Sequence, residues 1–75
     1  MSIGNEEEAG KAISLWRQEP PRAQLRNLQK AIESLELGQM YYDQKDNEQG
    51  VKRLGRCIQL LLERKAELER DIAQA

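Results

Sequence analysis

Apolar residues return along this chain at intervals of three and four, in three runs separated by a proline pair and by a polar segment. The first run, Ala9, Ala12, Ile13 and Trp16, makes a narrow stripe on a short helix over about residues 5–18. Asn5 followed by Glu8 is a cap pair, and Glu6, Glu7 and Glu8 complement the positive end of a helix dipole. Glu19 stands before Pro20-Pro21 and is pushed out of helical backbone, so this helix stops there. Pro21 then suits the first turn of a second helix, where its missing N–H needs no partner. Leu25, Leu28, Ile32 and Leu35 follow with 3-4-3 spacing, and Leu37, Met40 and Tyr41 widen the apolar face; this helix covers about residues 21–44. Asp46 and Gln49 read as the next cap pair, leaving Gln44-Lys45 as the bend. Val51, Leu54, Ile58, Leu61, Lys65, Leu68 and Ile72 then hold a heptad seam with one polar interruption, over about residues 46–74. The few β-branched residues fall at helical rather than alternating intervals, which argues against strands.

The pattern predicts an all-α fold in one domain, residues 1–75: an antiparallel helical hairpin with a short N-terminal helix, as a three-helix bundle or an oligomeric helical bundle. Leu25, Leu28, Ile32 and Leu35 should meet Leu54, Ile58, Leu61 and Leu68. Gly38 and Gly50 flank the polar segment, where each costs about 1 kcal/mol relative to alanine in a helix. Such a cost is understandable if the two helices approach closely there. The longer third helix should overhang its neighbour at Leu68 and Ile72, so the N-terminal helix or another chain must cover that end.

Size makes help from a partner expected. A core drawn from 75 residues supplies only about 3–5 kcal/mol. One cysteine cannot form an internal disulfide, and without histidine there is no zinc set. Twelve basic and thirteen acidic side chains nearly cancel, so no overall field draws the chain onto nucleic acid or a membrane surface. No apolar run approaches the length of a membrane span, and an acidic N-terminus is unlike a signal peptide. The expectation is a soluble, cytoplasmic protein with no cofactor.

Leu37-Gly38, Tyr41, Asp46, Gly50, Leu54, Cys57 and Ile58 together resemble the helical hairpin of a single tetratricopeptide repeat, and the related microtubule-interacting-and-transport domain, over about residues 28–62. Small residues stand in that family where Gly38, Gly50 and Cys57 stand here. The resemblance implies a scaffold that binds peptides or helices of other proteins and performs no catalysis.

Candidate partner-binding residues are Trp16, Met40, Tyr41, Tyr42, Leu68 and Ile72. Trp16 is either an anchor in a partner's pocket or a lock holding the first helix on its own bundle. The turn end of a hairpin has room inside for one or two of Met40, Tyr41 and Tyr42, so at least one faces outward. Cys57 reads as a small buried filler, because no histidine is present to act as its base. Glu33, Glu36 and Asp43 read as solubility residues rather than an acid–base set. With no phosphate loop, metal spacing or nucleophile elbow, no catalytic residue is assigned. The functional expectation is a non-enzymatic protein–protein interaction module: an adaptor, small chaperone or assembly subunit that self-associates or joins a heteromeric complex. The alternative is a small dimeric regulatory protein that offers Arg22, Arg26, Lys52, Arg53 and Arg56 to nucleic-acid phosphates.

Overall fold

A computed structural model describes residues 2–74. Three helices follow in order, α1 (Glu6–Trp16), α2 (Pro21–Gln44) and α3 (Glu48–Gln74), and no strand occurs among the described residues. α2 and α3 pair as the long hairpin, and α1 lies along α3, in a rod of 44 × 20 × 14 Å. The expected all-α hairpin with a short N-terminal helix is thus the architecture, and α1 makes it a three-helix bundle.

Local chemistry sets each boundary. The Asn5 side chain accepts from Glu8 N–H at 2.9 Å, while Glu8 Oε1 accepts from Gly4 N–H at 2.8 Å, a reciprocal cap displaced by one residue from the usual box. α1 ends at Trp16, two residues before the expected boundary, as Gln18 and Glu19 donate to Leu15 and Trp16 carbonyls in tight turns. The second bend corrects the expected cap. Asp46 has φ 56°, a left-handed backbone that aspartate tolerates better than most residues. In that position it closes α2: Asn47 N–H reaches back to the Tyr42 carbonyl at 2.8 Å, the long bond of a Schellman ending. The capping role therefore passes to Asn47, whose Oδ1 accepts from Gly50 N–H at 2.9 Å.

The core is one contiguous cluster of Ala9, Leu28, Ile32, Leu35, Leu54, Cys57, Leu61 and Leu68, with Ile13, Trp16, Leu25, Tyr42 and Ile58 packed against it. A Cβ on Gly38 would lie 2.8 Å from Leu54 Cδ1, and one on Gly50 would lie 2.7 Å from Tyr42 Cγ. Both glycines therefore sit where the opposing helix leaves no room for a side chain. These two contacts also fix the register. Fourteen residues back from Gly38 is Gln24, and fourteen on from Leu54 is Leu68, so α2 reaches Leu68, while Ile72 stands level with Pro20, just beyond the start of α2. Leu68 is accordingly buried, at 3% exposure.

A polar chain secures that far end. Gln24, itself buried, donates to the Glu19 carbonyl at 2.8 Å and accepts from Arg64 Nη2 at 3.1 Å. Arg64 also approaches Glu67 at 3.7 Å, and its Nε is buried without a partner. Because buried polar groups cost free energy unless hydrogen-bonded, this chain fixes the α1–α2 bend against α3.

Candidate interaction surface

α1 covers one side of the hairpin and leaves the other open. Arg53 Nε donates to the Gly4 carbonyl at 2.9 Å, and Arg56 Nε pairs with Glu6 at 2.8 Å, which places α1 on the Arg53–Arg56 side of α3. At about 100° per residue, Val51, Ile58 and Leu62 project from the opposite side of that helix. At the turn end Val51 borders, with Glu33, Glu36, Leu37, Gln39, Met40 and Asp43, an open groove of about 720 Å³, and Ile58 and Leu62 continue the same face of α3 beyond it. Leu37 is 67% exposed, Met40 58% and Leu62 43%, whereas Val51 and Ile58 are half-buried and form the floor. Gln39 crosses that floor and donates to the Val51 carbonyl at 3.0 Å. Gly55 makes room for it, since a Cβ there would stand 3.1 Å from Gln39 Nε2.

The six expected contact residues divide among several environments. Met40 lines the open groove. Tyr41 is exposed but lies outside the groove lining, its ring edge-on to Tyr42 at 5.7 Å and beneath Lys45 at 5.7 Å. Tyr42 is half-buried: its ring packs over Gly50 and stacks against the Arg53 guanidinium at 5.6 Å. Trp16 is also half-buried and packs on the core, bordering with Ile3, Ala31 and Leu35 a groove of about 360 Å³ between α1 and α2. Ile72 is half-buried on the last turn. Leu68 cannot meet a partner, because the hairpin register seats it inside. Sequence reasoning missed Leu37, Val51, Ile58 and Leu62 as a common surface. Val51 and Ile58 were read there as part of the heptad seam and Leu62 was not singled out, though the three stand at i, i+7 and i+11 on one face of α3; only the position of α1 decides which face remains uncovered.

Of the basic residues, Lys52, Arg53 and Arg56 border one shallow pocket with Gln49, and Arg22 does not join them. Arg53 holds Gly4 and Tyr42, and Arg56 holds Glu6. Arg22 lies some eighteen residues of α2 away from the level of Lys52, about 27 Å at the usual rise. Cys57 is fully buried. Burial, helped by the Glu6 carboxylate, holds its thiol pKa above the ordinary 9.0, with Arg53 and Arg56 pulling the other way. The thiol therefore stays protonated and unreactive at neutral pH. Since the unfolded chain gives up this proton first, folding stability from this group falls as pH rises past 9. Among the described residues, no three histidine, cysteine, aspartate or glutamate side chains come together as a metal site needs, and no helix is long and apolar enough to cross a membrane.

Lys65 interrupts the seam as a half-buried stem whose ammonium reaches Glu69, 3.7 Å away. An exposed pair of this kind contributes little, and a leucine there would extend the apolar floor. Lys65→Leu is expected to raise stability by about 1 kcal/mol with the helix register kept, read as a higher urea midpoint at unchanged slope. An unchanged or lower midpoint would show that the ammonium does more than mark the edge. No protein-family model, curated protein or solved structure matches the chain.

Proposed function

We propose that this chain is a non-enzymatic, cytoplasmic protein–protein interaction module that holds a helix of another protein on the open side of its hairpin, as an adaptor, small chaperone or assembly subunit does. The observation that carries the reading is the uncovered apolar side of the hairpin, a groove bordered by Leu37, Met40 and Val51 and continued along the same face of α3 by half-buried Ile58 and exposed Leu62. The opposite side of the same hairpin already accepts a helix, α1, by burying Ala9 completely. An amphipathic hairpin with one side capped and the other bare is an incomplete bundle, and helix burial on the bare side removes exposed apolar area at about 25 cal/mol per Å². The tetratricopeptide-like spacing around Gly38 and Gly50 agrees with this reading, since in that family paired helices act as holders of other helices or peptides.

A photo-crosslinking amino acid placed at Leu62 tests the proposal in the cell that makes the protein. Discrete protein adducts are expected from Leu62 and not from Lys11, an exposed position on α1 that pairs with Glu7. Equal yields from the two positions, or none from Leu62, would remove the reading.

A further inference from the structure

We infer that the open groove is a seat for a basic amphipathic helix of a partner protein; the inference rests on the proposed holding function and specifies what is held. Its basis is the charge around the apolar floor. On the α2 side the rim is Glu33, Glu36 and Asp43, all exposed. None of the three takes part in an ion pair among the described residues, whose salt bridges involve Glu6, Glu7, Glu67 and Glu69. Around the turn the rim continues through Asp46 and Glu48 beside Val51, with Lys52 the cation there. Carboxylates along the α2 side and the turn end of an apolar strip favour a helix with leucine-like residues on one face and lysine or arginine on its flank and leading end.

The length of the strip defines the seat. Val51 to Leu62 spans about 16 Å of helix, or three turns, so an occupant of three to four turns covers it. Small Gly55 and the flat amide of Gln39 lie beside Val51 in the first turn of the strip, where the low surface lets a docked helix approach the hairpin.

A second copy of this chain fits less well in either symmetric arrangement. If two grooves meet antiparallel with their strips superposed, α2 lies on α2 of the other copy, so Glu33 and Glu36 of the two copies come opposite one another and repel. If they meet parallel, α2 of each copy lies against α3 of the other, where Glu48 offsets Lys52 and leaves no net positive charge for the acidic rim. The chain's own cations at Arg53 and Arg56 are held by Gly4, Tyr42 and Glu6 on the other side of the bundle.

The test uses the full chain and two stapled helical peptides of identical apolar face, one flanked by lysines and the other by glutamates, titrated by fluorescence anisotropy. The lysine peptide should bind at least about tenfold more tightly, a difference that three rim pairs supply and that shrinks with added salt. In an E33K/E36K/D43K variant the preference should reverse, with the circular dichroism melt showing the variant folded. Equal affinity for both peptides, or a preference that survives the charge swap, overturns the inference. Light scattering supplies a further check: a dimer that Leu62→Asp converts to monomer would make a second copy the occupant and overturn it as well. These results stay separate from the holding function. Crosslinks at Leu62 without a charge preference leave that function standing and defeat only the basic helix, whereas absence of crosslinks defeats the function itself.

Discussion

Replacing Leu61 by alanine is expected to remove most of the bundle's stability, while the same change at the next residue, Leu62, should hardly register. Leu61 is completely buried at the middle of the core cluster, and Leu62 is 43% exposed on the open face. Truncating a fully buried leucine costs about 2–5 kcal/mol through lost transfer energy and a residual cavity. A core of this size supplies about 3–5 kcal/mol altogether, so Leu61→Ala should be partly unfolded at room temperature. Leu62→Ala should stay within about 0.5 kcal/mol of the parent. Urea titration followed by circular dichroism measures both. Similar losses at the two positions would mean that the open face is covered in solution or that the core is centred elsewhere.

The second large effect belongs to Gly50. A Cβ there would stand 2.7 Å from Tyr42 Cγ and 2.9 Å from two neighbouring ring carbons. The ring has little freedom to step aside, since Arg53 stacks on its face and approaches its hydroxyl at 3.4 Å. Gly50→Val therefore overpacks the turn end by about 1–3 kcal/mol, more than the small gain in helix propensity from removing a glycine. The buried thiol of Cys57 gives a direct readout: it should react with a thiol reagent faster in the variant, because opening the hairpin exposes it. Gly10 supplies the contrast. Nothing stands within 4 Å of a Cβ at that position, so Gly10→Ala should stabilise the protein by about 1 kcal/mol. Shrinking the obstacle with Tyr42→Ala in the Gly50→Val background should recover part of the loss, as coupled neighbours do. Strictly additive losses would show that the two residues are not in contact.

Helical periodicity survived folding because it is a local property. Leu28, Ile32 and Leu35 lie on one side of α2 whatever that side meets, and Pro20-Pro21 breaks the chain through backbone geometry alone. Asn5 acts as a cap for the same reason. The cap of α3 was read one residue early because Asp46 and Asn47 are chemically similar; the difference between them is set by the left-handed residue that ends α2, which a pattern of side chains does not encode. Leu68 was misplaced by a comparable mechanism. Helix lengths suggested an overhang, but the register depends on where Gly38 meets Leu54 and Gly50 meets Tyr42.

The candidate surface was less legible than the fold. Of the residues expected to face a partner, Met40 lines the groove, while Tyr42 and Trp16 pack on their own bundle. Large aromatic residues attract attention in a sequence whether they end up inside or outside. Val51 and Ile58 looked like core because their spacing matches that of true core residues, Leu37 only widened the apolar face of α2 and Leu62 fell outside the heptad seam; an amphipathic helix with a wide apolar face gives no sign of how much of it will be covered. Gln24 and Arg64 were overlooked for the opposite reason, since polar residues at seam positions pass as surface until their hydrogen bonds are known.

By itself the sequence determined three helices, their breaks and their inward stripes, since each follows from backbone sterics and the 3.6-residue repeat acting within a few residues. Tertiary structure alone decided which side of the hairpin α1 would cover, and with it that an acid-rimmed apolar groove would stay open. That choice depends on contacts between residues some fifty positions apart, such as Arg53 with Gly4 and Arg56 with Glu6, and no local pattern records them.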